Sequence, residues 1–311
     1  MRFGRNPEID IDSIDFSLPD RPSGLPGIPS DSFRFHFGTT KWGHKHWYGS
    51  LYPANTNAND HVKEYIRHFI FLELAAASYG KLRSEHIRSW METISNVPEF
   101  KVAPKFFQSI THIKRLLDCD RQTADFIRFY SLFESHLGPS ILQLHENWGP
   151  ENFPALQSYL DKLPQGFQTQ VELRHPGWYH PDVFNTLTAL LKQKGMGLIL
   201  SDTNTRRDLL HMTLTTKTAY IHFIGNGNHA TDRLRLENWR KKILQWKADG
   251  LDEAYFTVNQ HFEETFSETV ATARRVFSRS YIARSEKKGI KNSVKPVLFV
   301  YSVYNTLLLI R

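Results

Sequence analysis

Short runs of two-residue alternation and longer runs of helical spacing take turns along this chain, and that rhythm limits its fold more than any single motif. Strand patterns occupy 33–38, 70–74, 100–104, 140–144, 168–173, 198–201, 219–223 and 254–258. Between them apolar residues recur three and four apart. Val62, Tyr65, Ile66 and Phe69 follow a cap at Asn59 or Asp60, and Ile87, Trp90, Met91 and Ile94 follow Ser84. Further helices are predicted over 121–133, 153–163, 234–246 and 263–277, and one from Pro181 that ends at Gly195 as a left-handed cap. Alternating strands and helices make an α/β protein with parallel strands. Eight such units fit a single (β/α)8 TIM-type barrel with a closed sheet better than an open one.

The fifth strand ends in a burst of chemistry, Val171-Glu172-Leu173-Arg174-His175-Pro176-Gly177-Trp178. Val171 and Leu173 alternate with Gln170, Glu172 and Arg174, and Pro176-Gly177 stops the strand. With apolar partners assigned to the helix side, the residues pointing inward near the strand ends are Glu73, Lys105, Gln143, Glu172, Arg174, Asp202, His222 and Asn259. Burying so many polar groups is costly unless they pair or meet a ligand. Glu73, Glu172 and Asp202 are then the acid/base candidates, and Lys105 and Arg174 the clamps for an anion. The bland alternative is a salt-bridge plug, Glu172 with Arg174 and Glu73 with Lys105. A divalent metal would find donors in Glu172, His175, Asp202, His222 and His261, although no metal-site spacing is present.

Trp42, Trp47, Tyr48, Trp148, Trp178 and Tyr179 fall in the loops that follow strands, where aromatic faces could stack a sugar or base. The ligand-binding candidates are thus Trp42, Tyr48, Lys105, Gln143, Arg174, His175, Trp178, His222 and Asn259. His44, Lys45 and His46 make their loop the best nucleic-acid-contacting segment. Gly225-Asn226-Gly227 is a weak candidate to hold a phosphate on backbone N–H groups. No P-loop, dinucleotide fingerprint, cysteine zinc pair or serine-nucleophile elbow occurs.

Taken together these motifs resemble the YecE-like family, domain of unknown function 72, whose fold is a TIM-type barrel. The resemblance runs over about 33–277. It rests on Gly38-Thr39-Thr40-Lys41-Trp42, Leu51-Tyr52-Pro53, Ile110-Thr111-His112, Leu142-Gln143-Leu144-His145, the 171–178 stretch and Ser201-Asp202-Thr203. Three elements depart from the family pattern. A polar run has become Ala75-Ala76-Ala77-Ser78 while Glu73 and Tyr79 remain, His222 and Ile224 replace an Arg and a His, and Val258-Asn259-Gln260-His261 replaces FNND. Such changes imply a divergent branch, and the family supplies no established reaction.

Around the barrel, expected over 33–281, residues 1–32 read as a flexible arm rich in Pro and Gly, and 282–311 as a basic, then apolar extension. The apolar run 297–310 is too short for a membrane-spanning helix. The net charge of +7 is split between an acidic arm, a mildly basic middle and that basic tail, so an anionic partner is permitted but not demanded. A lone Cys119 and no apolar signal near the start point to the cytoplasm. The expected role is an enzyme acting on an anionic or polyhydroxyl ligand, a phosphoester or nucleic-acid fragment, by hydrolysis with or without a metal. The alternatives are a non-catalytic nucleic-acid or ligand-binding barrel, and an interaction protein working through its tail.

Overall fold

The structure, a computed structural model, describes residues 8–75 and 83–287. It is an α/β fold in which all strand pairs are parallel. The strands are β1 (Arg34–Thr39), β2 (Phe71–Leu74), β3 (Lys101–Pro104), β4 (Ser140–Gln143), β5 (Thr169–Glu172), β6 (Gly197–Leu198), β7 (Leu200–Asp202), β8 (Thr218–Gly225) and β9 (Glu253–Gln260). One six-stranded sheet has the order β3-β2-β1-β9-β8-β7, and a three-stranded sheet has the order β4-β5-β6. The predicted strand 198–201 is thus two pieces, divided at Ile199, whose N–H donates to the Val171 carbonyl at 2.9 Å. Around β3 and β4 the described residues form isolated bridges, Val102 to Leu137 and Lys105 to Ile141.

Helices follow the strands: α1 (His61–Tyr65), α2 (Ser84–Ile94), α3 (Asp120–Tyr130), α4 (Phe153–Lys162), α5 (Pro181–Lys194), α6 (Ala230–Ala248) and α7 (Phe266–Lys287). Gly195 caps α5 with φ of 64°, as the spacing predicts. Sequence periodicity places the start of α6 four residues late. The reason is that Asp232 and Arg235 lie on its buried face beside Leu236, Trp239, Ile243 and Trp246, so charge interrupts the apolar stripe. The helix α7 runs on through the expected 281/282 boundary to Lys287, and the rest of the tail lies outside the described residues. No helix among those residues is long and apolar enough to cross a membrane.

The apolar side chains divide into two sets. Most pack between sheet and helices. A smaller cluster, Phe71, Ala103, Ile141, Ile199, Tyr220 and Tyr255, lies on the other face and draws on both sheets. Register places Gly38 of β1 opposite Phe71 on that face. A Cβ at Gly38 would stand 1.8 Å from the Phe71 carbonyl oxygen, so glycine is what lets β1 and β2 approach. This apolar layer is the floor of the site described below.

Residues 8–32, expected as an arm, hold no strand but pack on the fold. The Gly27 N–H donates to the Asp249 carbonyl at 2.9 Å, and the Leu214 N–H to the Ser23 carbonyl at 2.8 Å. Phe16 is buried beneath Arg207 and Arg235, whose guanidinium carbons sit 5.1 and 4.9 Å from its ring centre.

His211 is fully buried and satisfied in its neutral form. Its Nε2 faces the Ile199 carbonyl at 3.2 Å, and its Nδ1 accepts from the Thr213 N–H at 3.2 Å. A second ring proton would point at that N–H. Burial accordingly lowers its pKa to about 4 from 6.5. The unfolded chain therefore binds a proton that the folded one refuses between these values. Stability is expected to fall by up to about 3 kcal/mol as pH drops through that window. Urea midpoints measured across it should fall less steeply in His211→Gln than in the wild type; equal slopes would contradict the assignment.

Candidate active site

At the C-terminal ends of the strands, above the apolar floor, a cleft encloses about 270 Å³ of space, part of it open to solvent. It is lined by Thr40, Glu73, Lys105, Glu172, Arg174, Ser201, His222, Ile224, Thr257 and Asn259. Strand parity brings them there. Phe71 and Tyr220 point at the floor, so Glu73 and His222, each two residues on, point at the cleft. Glu172 and Arg174 share one face of β5 and its continuation in the same way.

The centre is an imidazole between two carboxylates. Glu73 Oε2 is 2.6 Å from His222 Nε2 and accepts from the Tyr220 hydroxyl at 2.9 Å. On its other oxygen, Lys105 Nζ lies 2.9 Å away as an ion pair, and the same ammonium donates to Gln143 Oε1 at 3.0 Å. Arg174 places Nε and Nη2 both 2.7 Å from Glu172 Oε1. The second oxygen, Glu172 Oε2, is buried with no hydrogen-bond partner and faces His222 Nδ1 at 3.5 Å.

Burial pushes the Glu73 carboxyl up, but His222 and Lys105 outweigh it and hold the group below the usual carboxylate range. Burial likewise raises Glu172, and Arg174, His222 and Lys105 bring it below its ordinary value. Burial raises the Tyr220 hydroxyl well above its usual pKa, helped by the Glu73 charge, so it remains a donor. Glu73 Oε2, at hydrogen-bond distance from His222 Nε2, fixes the orientation of the ring. That orientation places Nδ1 on the side of the cleft beside Glu172 Oε2.

Of the residues proposed from sequence, Glu73, Lys105, Gln143, Glu172, Arg174 and His222 form this one connected group, and Asn259 lines the same cleft. Asp202 is elsewhere. It has the parity of Leu200, so it faces the helices. There Arg235, Arg207 and the Trp239 N–H surround it at 2.9, 2.5 and 2.7 Å. Burial raises that carboxyl, and the two guanidiniums bring it below its ordinary value. His175 caps the turn at Pro176–Tyr179 by accepting from the Gly177 N–H. His261 lies past the end of β9. Among the described residues no three His, Cys, Asp or Glu side chains group as a metal site, and these five donors do not converge.

The aromatic residues mostly pack among themselves. Trp148 and Trp178 stack with centroids 5.7 Å apart, Trp47 stacks on Phe266 at 4.8 Å, and Trp42 meets Trp90 edge-on at 4.2 Å. Tyr48 OH bonds His61 Nε2 at 2.7 Å, and Tyr179 OH donates to the Leu173 carbonyl. In the loop after β1, Lys41 pairs with Glu263, and His44 and His46 each lie 3.9 Å from a carboxylate of Glu263 and Glu264. The loop Gly225-Asn226-Gly227 is filled from within: both oxygens of Asp232 accept from the Asn226 N–H at 2.9 Å. Sequence reasoning missed Thr40, Ser201, Thr257 and Tyr220. Parity alone would find Ser201 and Thr257, each on the inward side of its strand; nothing in the sequence marks Tyr220 as the partner of Glu73.

A family described as "Protein of unknown function DUF72" matches residues 36–288. The UPF0759 protein YecE of Escherichia coli K12 is 27% identical over 230 residues, 68% of this chain and 81% of that protein. A solved DUF72 family protein from Thermotoga maritima superposes with a TM-score of 0.60 at 18% identity, covering 78% of this chain and 99% of that one. A DUF72 family protein from Enterococcus faecalis gives 0.61 at 15% identity, with 79% and 96% covered. Likeness at that identity concerns the fold.

Proposed function

The chain belongs to the DUF72 family, and from that premise we propose that it is an enzyme performing acid/base chemistry on a small anionic or polyhydroxyl ligand. The ligand class is a phosphoester or nucleic-acid fragment. In this reading the two sheets are arcs of one closed (β/α)8 barrel, joined at Ile199 and at the bridges between β3 and β4. A lone, buried Cys119 suits a cytoplasmic setting. The observation that carries the enzyme reading is Glu172 Oε2. A buried carboxylate oxygen without a hydrogen-bond partner, 3.5 Å from Nδ1 of an oriented imidazole, is expensive unless a ligand group completes it.

The roles divide accordingly. His222 Nδ1 and Glu172 Oε2 face the reacting atom and exchange its proton. Glu73 and Tyr220 position His222. Lys105 and Arg174 supply positive charge for an anionic group, and Thr40, Ser201, Thr257 and Asn259 offer neutral partners to hydroxyls. A second reading is supported by the pairing of Lys105 with Glu73 and Arg174 with Glu172: the cluster satisfies much of its own charge, as a binding barrel without turnover would.

Turnover separates the two. Phosphomonoesters, phosphodiesters and abasic or single-stranded DNA should be assayed with and without divalent cations, alongside binding over a salt series. Turnover of one class that is lost in His222→Asn is the expected result. Binding without turnover under every metal overturns the enzyme reading in favour of the binder. DNA affinity that ignores salt removes the nucleic-acid class, because phosphate contacts release counterions.

A further inference from the structure

One strand of this fold has no helix of its own. The helices α1 to α5 follow β1 to β5, α6 follows β8 and α7 follows β9. Between β7 and β8, residues 203–217 form only a short 3-10 turn, Arg207–Leu209. The outward side chains there, Leu200 of β7 and Ala219, Ile221 and Phe223 of β8, are nevertheless fully buried, as the outer face of a parallel sheet must be. Residues 8–32 lie across the gap between α5 and α6. Asp12 approaches His229, the N-cap of α6, at 3.7 Å, and a Cβ at Gly24 would stand 3.5 Å from Lys192 Nζ of α5. The Gly27 and Ser30 N–H groups donate to the Asp249 and Lys247 carbonyls at the far end of α6. Phe16 is buried, and Leu18 and Leu25 pack against the main apolar core, which also takes in Leu210, Met212 and Leu214 of the connection.

The same connection reaches the cleft. Arg206 Nη1 donates to the Arg174 carbonyl at 2.8 Å, and Asp208 fixes that guanidinium through Nε at 2.8 Å and Nη2 at 2.6 Å. Its neighbour Arg207 is held by the arm: Nη2 donates to the Ser17 carbonyl at 3.2 Å, and the guanidinium carbon lies 5.1 Å from the Phe16 ring centre. Arg207 Nη1 meets Asp202 at the end of β7. Arg174 in turn rests on Glu172 Oε1. A continuous chain of contacts therefore runs from Phe16 and Ser17, through 206–208 and the backbone at Arg174, to the Glu172 carboxylate. A connection with no helix behind it would otherwise be a weakly restrained wall of the cleft.

We propose that the arm 8–32 replaces the missing helix as the outer layer over β7 and β8, and that it acts as a strap: by clamping the turn at 206–208 it positions Arg174 and, through it, Glu172. Phe16, Arg206 and Arg207 are positioning residues in this scheme, with Glu172 and His222 left to meet the ligand. The strap rests on the acid/base reading only for what a displaced Glu172 would cost in turnover; the contacts themselves stand without it. The family match begins at residue 36, so this layer comes from outside the matched span.

The test is amide hydrogen exchange of the full chain, read segment by segment, in the wild type, Phe16→Ala, Phe16→Leu and Arg206→Ala, each first shown to keep a cooperative thermal transition. In Phe16→Ala the amides of 203–210 and of 174–178 should exchange faster by about tenfold or more, while those of β3 and β4 keep their wild-type rates. Phe16→Leu, which refills most of the volume, should recover much of the protection. Arg206→Ala should loosen 174–178 alone and leave the Gly27 and Leu214 amides, which tie the arm down, as they are. Faster exchange at 203–210 without any change at 174–178 would reduce the arm to a cover and overturn the strap. If Phe16→Ala loosens every strand together, Arg206→Ala decides, and unchanged rates at 174–178 in that variant overturn the strap as well. A wild type that turns over no phosphoester, with 174–178 loosened in both variants, would remove the enzyme reading and leave the strap standing.

Discussion

Glu172→Gln should leave ligand affinity within a few-fold of the wild type and lower turnover by about 10²- to 10⁴-fold, the usual worth of a positioned acid/base group. The substitution keeps the size of the side chain. Its amide oxygen can still accept from Arg174, whose Nε and Nη2 both meet Oε1. The amide nitrogen must then take the place of Oε2, 3.5 Å from His222 Nδ1, where it donates into the lone pair that serves as base. Both members of the proton-transfer pair are silenced by exchanging one oxygen for nitrogen. Arg174→Ala acts on the other half of the site: it removes a cation of the cleft and leaves Glu172 buried without its guanidinium, so affinity for a phosphoester falls first. Steady-state kcat and KM for any phosphoester found to turn over provide the check. A Glu172→Gln enzyme with wild-type kcat would exclude the carboxylate from the chemistry.

Arg235→Met should cost about 3–5 kcal/mol of stability, because it removes the buried guanidinium shared by two buried carboxylates. Arg235 has 0% exposure, and it bonds Asp202, Asp232 and the carbonyls of Asp202 and Ile224. It also lies over the rings of Phe16 and Phe223 at 4.9 and 4.3 Å. Methionine fills part of the volume but answers none of those acceptors. Burial already holds the Asp232 carboxyl above its usual range, and loss of the guanidinium raises it further. A melting temperature lower by on the order of 10 °C is expected. Denaturant titration measures the loss directly, and Arg235→Met/Asp202→Asn/Asp232→Asn should recover part of it. A single variant within 1 kcal/mol of the wild type, on the scale of an exposed pair, would show that this network does not hold α6 to the sheet.

Neither expected effect follows from the sequence in the same degree. Glu172 could be read as a site residue because it alternates with Val171 and Leu173, an oily pair that must face the helices. Arg235 could not. It stands inside a helix among charged neighbours, and nothing local says that its side chain is the buried one. Asp202 shows the same limit from the opposite direction. It ends a strand, as a catalytic carboxylate would, yet it shares parity with Leu200, pairs with Arg207 and Arg235 and accepts from the Trp239 N–H. Trp178 and His175 read as ligand groups because of the loop that carries them. In the fold Trp178 is spent on Trp148 and His175 on a turn.

What the sequence determined by itself is whatever depends on near neighbours: period two, period 3.6, the stop at Pro176-Gly177, the cap at Gly195. From these follow the α/β class, the parallel strands and the inward face bearing Glu73, Lys105, Gln143, Glu172, Arg174, His222 and Asn259. Tertiary structure alone decided who meets whom. Glu73 takes its hydrogen bonds from Tyr220 and His222, well over a hundred residues further along the chain, Asp232 closes the loop that glycines had left open, and one oxygen of Glu172 is left without a hydrogen-bond partner. The physical reason is that alternation sets the side on which a group emerges, whereas its charge state and its partner depend on the desolvation and the opposite charges that only the assembled strands bring to it.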